Sequence, residues 1–493
     1  MIDEILRDQA VRLLSSAPSS IEMPAGAGKT HLLAAAVAVA AERDERCVVL
    51  THTNAGVDSI RRRLRRFGVP SPLVRVETIT SWAFSLARSY PTIAGVEVHE
   101  SPDWTQSDEY VRGATRVATS AAIRAVHAVS FDYLLVDEYQ DCTLLQHAFI
   151  IALKDAIPKT LVLGDRLQAI FGFAGDLADW DKHVLPGLPA FAVAPIPHRW
   201  IGHNEDLGRW LLNIRPMLVE GRTFDVAQQA ITGLTFVQDA SPTSVAAVAH
   251  GFRNFDETVV LLDKWPAGVA GHASRLGGSF TVMEDLNGNF MRKQINGFAN
   301  EREQILALPS QGDPALARWF AQLAKACVIG LSDINYPVLR RLDANESLTG
   351  LPRDGIQPVV DALESLRLHP TYEQLTVAAQ TIRNLAVLRI YRWEAWNDTL
   401  RAISLSIEND EAPIDNLARV RERLRRQGRR AHARIASRAL LVKGLEYDHV
   451  VIANLANFTD PRNLYVALTR ARKSITVLGR SSSVLLKNEQ RRR

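Results

Sequence analysis

Only three cysteines, Cys47, Cys142 and Cys327, occur in 493 residues, and no two stand in C-x-x-C spacing. Their number and scatter exclude a disulfide framework and a cysteine zinc cluster, and they fit a reducing compartment, so a cytoplasmic location is expected. Long apolar runs are missing as well. The stretch L-L-A-A-A-V-A-V-A-A at 32–41 is alanine-rich and too short to span a bilayer. The opening M-I-D-E-I-L-R-D-Q-A is charged and lacks an apolar signal core, so no membrane association is expected. A large charge of one sign is absent too: 58 Lys and Arg face 54 Asp and Glu, for a net +4. That surplus does not mark a nucleic-acid binder, so the placement of the arginines carries more than their number. No repeats occur, and the one strong bias is nine arginines between Arg419 and Arg438.

What is present is ample apolar material, 47% of residues at a mean hydropathy near zero, enough for several cores. In the first third, short β-branched runs alternate with helix-length segments. Strands are expected at 20–23, 47–51, 74–78, 133–137 and 160–165, joined as in a parallel sheet covered on both faces. Polar residues rise at about 91–130, which reads as a small insertion. Strand-like runs return at 258–262, 279–283, 449–453 and 474–478 and predict a second α/β unit. The expected division is 1–190, then 191–290 with 434–493, the latter interrupted by a helical insertion at 291–433.

The segment M-P-A-G-A-G-K-T at 23–30 has the form of a phosphate-binding loop whose first glycine is replaced by Met23. Gly26 and Gly28 permit the positive φ angles that turn successive N–H groups, including that of Ala27, toward an anion. The helix starting there presents its positive end. Lys29 is placed to reach the β- and γ-phosphates of ATP, and Thr30 to offer a hydroxyl to Mg2+. The turn left without its first glycine must be made elsewhere, with Pro24 fixing the entry. Downstream, Y-L-L-V-D-E-Y-Q-D is an apolar strand ending in two carboxylates, at the end of a strand where α/β sheets present their chemistry. Asp137 is placed to hold the metal, and Glu138 to orient or deprotonate an attacking water.

D-E-Y-Q-D-C at 137–142 resembles the second motif of UvrD/Rep-like superfamily 1 DNA helicases, and further segments follow in that family's order. The resemblance implies an α/β chain of two RecA-like parallel-sheet domains, a P-loop NTPase with mainly helical insertions. It also implies an ATP-hydrolysing helicase moving 3′ to 5′ on single-stranded or tailed duplex DNA. Gln9 resembles the adenine-reading residue. T-H-T-N-A-G at 51–56 and T-I-T-S-W at 78–82 are similar to DNA-contacting segments, which implicates Thr51, Thr53, Asn54, Thr78 and Trp82. In G-D-R-L-Q-A-I-F-G-F at 164–173, Gln168 would sense the γ-phosphate and Phe173 would stack on a base. P-H-R-W at 197–200 implies Arg199 as a phosphate contact and His198 where an adenine-stacking ring sits. K-G-L-E-Y at 443–447 implies Glu446 near the ribose, and L-Y-V-A-L-T-R-A-R at 464–472 implies Arg470 as arginine finger. Such a finger is worth ~10³–10⁵ in rate.

Departures from the pattern are as informative. Leu440 stands where the family has a histidine that links strand to nucleotide, and Ala174 replaces an arginine. The insertion at 91–130 is short, and no nuclease segment follows the sixth motif, so cleavage of DNA would need a partner. A second reading is therefore an ATPase subunit acting with a nuclease, as in anti-phage defence of the Gabija type. A vestigial scaffold is a third, and RNA as substrate stays open. R-R-R-L-R-R at 61–66 is either a solvated helix face or a phosphate-contacting one. Trp82, Phe173 and His198 read as stacking or as packing residues, and Trp200, Trp210 and Trp265 as core.

Overall fold

The computed structural model describes residues 2–98, 106–170, 175–252, 256–285, 287–300, 314–331, 337–351, 355–409, 411–427 and 432–487. The first half holds helix α1 (Glu4–Ser15), β1 (Ser19–Glu22), α2 (Lys29–Ala41), β2 (Cys47–Thr51), α3 (Asn54–Arg66), β3 (Val74–Thr78), α4 (Ile79–Ser89), β4 (Tyr133–Val136) and β5 (Lys159–Gly164). Among the described residues these strands form one sheet in the order β1-β5-β4-β2-β3, every pair parallel. Strands β2 and β4 are buried along their whole length because helices cover both faces, which is why they read as unbroken apolar runs. Helix α2 is buried all round: its alanines let it lie close against α1 and the sheet.

The second half begins with β6 (Thr223–Asp225), β7 (Leu234–Val237), β8 (Val259–Leu262) and β9 (Thr281–Val282). After a mainly helical stretch with a small ribbon, β10 (Val328–Ile329) against β11 (Arg389–Ile390), come β12 (Arg434–Ser437), β13 (Tyr447–Ile452), β14 (Ala471–Leu478) and β15 (Ser483–Leu485). A second parallel sheet runs β7-β14-β13-β8-β12-β9. The expected architecture of two parallel-sheet units is therefore observed, and the run at 279–283 supplies only the two-residue edge strand β9. Two of its strands, β7 and β12, escape the sequence pattern. The first is a short, half-exposed edge, and the second follows directly on the arginine run. The helices between 289 and 427 share a core of their own around Trp319, Phe320, Leu363 and Trp396.

Two arginines of the run, Arg419 and Arg421, are held by carboxylates of the same helical segment. Arg421 is buried, bonding Asp398 at 2.6 Å, Glu394 at 3.3 Å and the Asp285 carbonyl at 2.6 Å. Arg419 pairs with Glu411. The helix Pro413–Gln427 carrying both packs against α3, bringing the two arginine-rich segments together. On α3, Arg61 donates to the Val76 carbonyl and Arg63 to Ser59, while Arg62, Arg65 and Arg66 are exposed.

The two sheets are joined by charge. Arg215, from the helix Arg215–Glu220, reaches back to the first sheet, where Asp165 at the end of β5 accepts at 3.0 Å and Glu22 at the end of β1 accepts at 3.0 Å. Asp165 has no exposed surface, so removing the guanidinium strands a buried carboxylate. Arg215→Leu is expected to lower stability in equilibrium urea unfolding by ~3–5 kcal/mol. Adding Asp165→Asn should recover part of that loss.

Candidate nucleotide site between the two sheets

Met23 does not take part in the turn. Its side chain is buried in the core beside Ile21 and Ala27, and its N–H extends the sheet by donating to the Gly164 carbonyl at 2.9 Å. The chain then turns from Pro24 to Ala27, whose N–H donates to the Pro24 carbonyl. Gly26 and Gly28, at φ 72° and 81°, complete the loop in the left-handed region. Both glycines are also required by close approach. A Cβ on Gly26 would lie 2.7 Å from the Trp200 ring, and one on Gly28 2.8 Å from His198 Cδ2. The loop is thus roofed by residues 198–200 of the second half, and Arg199 N–H donates to the Gly26 carbonyl at 3.1 Å.

Lys29 opens α2 and is buried, its Nζ 2.9 Å from Glu138 and 3.8 Å from Asp137. Burial works against its charge, but Glu138 and Asp137 more than offset this, and its pKa is raised. Burial also raises Asp137, although Lys29 and the Thr30 hydroxyl, which donates at 2.8 Å, counter that. Glu138 stands at φ 57°, a strained position for a non-glycine residue, which turns its carboxylate back toward Lys29. Burial pushes Glu138 up, yet Lys29 and Lys443 bring it down to about 2, so it is ionised at neutral pH.

The Thr30 hydroxyl and Asp137 carboxylate form an all-oxygen donor set beside the loop, which suits Mg2+ completed by phosphate oxygens and water. Among the described residues no group of three or more His, Cys, Asp and Glu could hold a metal by itself.

From the other side come four groups. Arg199 pairs with Glu446 at 3.0 Å and donates to the Thr469 carbonyl, while its Nε is buried with no hydrogen-bond partner among the described residues. Arg470 has no exposed surface and faces Gln168, its Nη2 3.4 Å from Oε1. Burial and then the nearby Arg199 push Arg470 down to about 9, the condition of a guanidinium short of negative charge. Tyr465 accepts from the Ala25 N–H at 3.2 Å. Lys443 donates to Asp141 at 2.5 Å and to the Gln168 carbonyl at 2.6 Å. Gln168 itself donates to Asp165 at 3.0 Å.

The structure therefore brings together Gly26, Ala27, Gly28, Lys29, Thr30, Asp137, Glu138, Gln168, His198, Arg199, Glu446 and Arg470. His198 is exposed with its ring edge over Gly28, which places it on the loop. Gln9 is half-buried on α1, which lies along α2.

The nucleic-acid candidates fare unevenly. Thr53 and Asn54 are exposed at the start of α3, where Thr53 caps the helix through the Gly56 N–H. Thr51, Thr78 and Trp82 are turned inward in this structure. Thr51 is 1% exposed beneath Gly56. Thr78 is spent capping α4, accepting from the Ser81 N–H at 3.0 Å. Trp82 is 6% exposed, edge-on to Phe131 and His127 with Arg75 over its ring, so neither face is open to a base. Phe173 lies outside the described residues.

Trp200 and Trp210 are core residues as expected, but Trp265 is 57% exposed. It follows β8 and lines a cavity of about 280 Å³ with Lys264, Arg438, Asn457 and Ile170. Lys264 Nζ lies 5.2 Å over the indole, and neither Lys264 nor Arg438 makes an ion pair among the described residues. Only the neighbouring lysine, and no motif, could have drawn attention to this tryptophan in the sequence. His52, also unanticipated, sits under the cleft 3.5 Å from Cys142 Sγ, held neutral down to about 4 by burial and then by Lys443.

Residues 7–174 match the AAA domain family, and residues 399–479 match the viral superfamily 1 RNA helicase core domain. The first match contains Lys29, Asp137, Glu138 and Gln168 and the second Lys443, Glu446, Tyr465 and Arg470, while His198 and Arg199 lie outside both; together the matches support a superfamily 1 helicase, an ATP-dependent nucleic-acid motor. No curated protein matches the chain. Among the described residues no helix is long and apolar enough to cross a membrane.

The fit of His198 against the loop gives a test that needs no nucleotide. Gly28→Ala combines a left-handed φ, costing about 1–2 kcal/mol for a residue with a Cβ, with a clash against His198. In urea unfolding it should lower stability by at least that amount, and His198→Ala in the same background should restore the steric part.

Proposed function

We propose that the chain is an ATP-driven translocase on single-stranded DNA that moves 3′ to 5′ and opens tailed duplexes. The observation that carries this reading is the convergence of Lys29, Thr30, Asp137, Glu138 and Gln168 with Arg199 and Arg470 across one buried cleft. In this reading Lys29 and the loop N–H groups hold the phosphates. Glu138, ionised and turned inward, takes a proton from the attacking water. Arg199 and Arg470 stabilise charge on the transferring phosphoryl group, and Gln168 links Arg470 to the first sheet. Mg2+, held by Thr30 and Asp137, would neutralise phosphate oxygens. Gln9 and His198 border the base of the nucleotide, and Glu446 aligns Arg199.

Because the guanidiniums belong to the opposite side, closure depends on the γ-phosphate and reopening follows its loss. A strand gripped alternately by the two halves is then moved in one direction. Thr53 and Asn54 on the first half and Trp265 on the second are the proposed strand contacts, with Lys264 and Arg438 meeting phosphates. The accompanying domain division is 1–190, 191–290 with 434–493, and 291–433. DNA and polarity rest on the UvrD/Rep-like motifs. RNA is the competing strand, since 399–479 match a viral RNA helicase core.

Single-stranded DNA is expected to stimulate ATP hydrolysis more than RNA of the same sequence, and equal stimulation would reassign the substrate. Glu138→Gln should bind ATP normally while turnover falls ~10²–10⁴-fold; undiminished turnover removes Glu138 from the role of base. Trp265→Ala should weaken single-strand binding by ~1–3 kcal/mol, read by fluorescence anisotropy of a labelled oligonucleotide.

A further inference from the structure

Arg199 and Arg470 are not the only charged groups that cross the cleft. Lys443, which follows the short helical turn Ala439–Val442 of the second half, inserts its ammonium between two segments of the first. It donates to the Asp141 carboxylate at 2.5 Å and to the Gln168 carbonyl at 2.6 Å, with little of either side chain of the ion pair exposed. Asp141 ends the turn Tyr139–Asp141 that begins at Glu138. Its second oxygen, Oδ1, is buried without a hydrogen-bond partner among the described residues, so Lys443 is the cation on which this carboxylate depends.

Between Asp141 and Glu138 lies Gln140, which is buried. Its amide nitrogen donates to Glu138 Oε2 at 2.5 Å and lies 3.4 Å from Asp141 Oδ2. Its amide oxygen accepts from the Asp165 N–H at 2.9 Å, fixing the side chain to the end of β5. A continuous line of polar contacts, buried except at the partly exposed Glu138, therefore runs Lys443–Asp141–Gln140–Glu138–Lys29. Glu138 holds a left-handed backbone conformation that needs such support from its surroundings.

We propose that Lys443 is a positioning residue supplied across the cleft, which by seating on Asp141 and the Gln168 carbonyl fixes the 137–141 turn and, through Gln140, the Glu138 carboxylate. Closure then completes the site twice, once by bringing cations to the phosphates and once by setting the base. This rests on the ATPase reading only for its consequence in turnover; the mechanical link is independent of it.

Two measurements on the full chain test the proposal. In hydrogen exchange without nucleotide, Lys443→Ala should speed exchange in 137–142 and leave 29–41 unchanged. Unaltered exchange in 137–142 overturns the link. In ATP hydrolysis, Lys443→Ala and Asp141→Lys should each lower kcat roughly 10²-fold, the scale for a displaced catalytic group, with KM within about twofold. Lys443→Arg should retain most activity, and Asp141→Lys with Lys443→Asp should exceed either single reversal at least about tenfold by restoring the pair in mirror image. A wild-type kcat in Lys443→Ala, or a folded double variant no better than the singles, also overturns it. Absence of hydrolysis in the wild type would instead overturn the ATPase reading, leaving the exchange result to decide the link.

Discussion

Arg470 sets the terms for the whole cleft. A guanidinium with no exposed surface, pushed down by burial and by Arg199 beside it, sits where, among the described residues, only neutral groups accept from it: the amide of Gln168, the Thr469 hydroxyl and backbone carbonyls. Keeping such a group charged in a low-dielectric interior is costly unless an anion arrives. Across from it Lys29 lies between two carboxylates, Asp137 and Glu138, and Arg199 has Glu446, whereas Arg470 makes no ion pair among the described residues. A bridging polyanion is the ligand that would suit both sides. This imbalance gives a physical reason for coupling binding to closure: the anion lowers the electrostatic cost of bringing the two halves together.

Much of this was legible in the sequence because the chemistry sits at strand ends. Buried parallel strands read as apolar runs, and the polar residues that interrupt them, Asp137 and Glu138 after β4 and Thr51 at the end of β2, fall at the sheet's working edge. Met23 shows how a broken motif survives. The position needed a residue continuing the strand into the core, while the turn was made three to five residues later by Gly26 and Gly28, held under Trp200 and His198. Strand β12 stayed hidden because four residues following a dense arginine run carry too little pattern to stand out.

The strand-binding face was less legible, for a reason specific to threonine and tryptophan. Both occur as contact residues and as local structural devices, and the sequence does not separate the two. Thr78 is consumed as a helix cap and Trp82 as core, whereas Trp265, read as core from its apolar bulk, stands open beside Lys264. Arg421 makes the same point for charge: within the most basic stretch of the chain it is a buried anchor for Asp398 and Glu394. Lys443 was passed over because its partner, Asp141, is 302 residues away in sequence.

The central claim is that one triphosphate is shared by the two halves. A structure determined with Mg2+ and a non-hydrolysable ATP analogue tests it most directly. The account predicts the γ-phosphate within hydrogen-bond distance of Lys29 and of both Arg199 and Arg470, with Glu138 facing the in-line position. A triphosphate held by the loop alone, with Arg199 still paired to Glu446 and Arg470 still turned to Gln168, would contradict it.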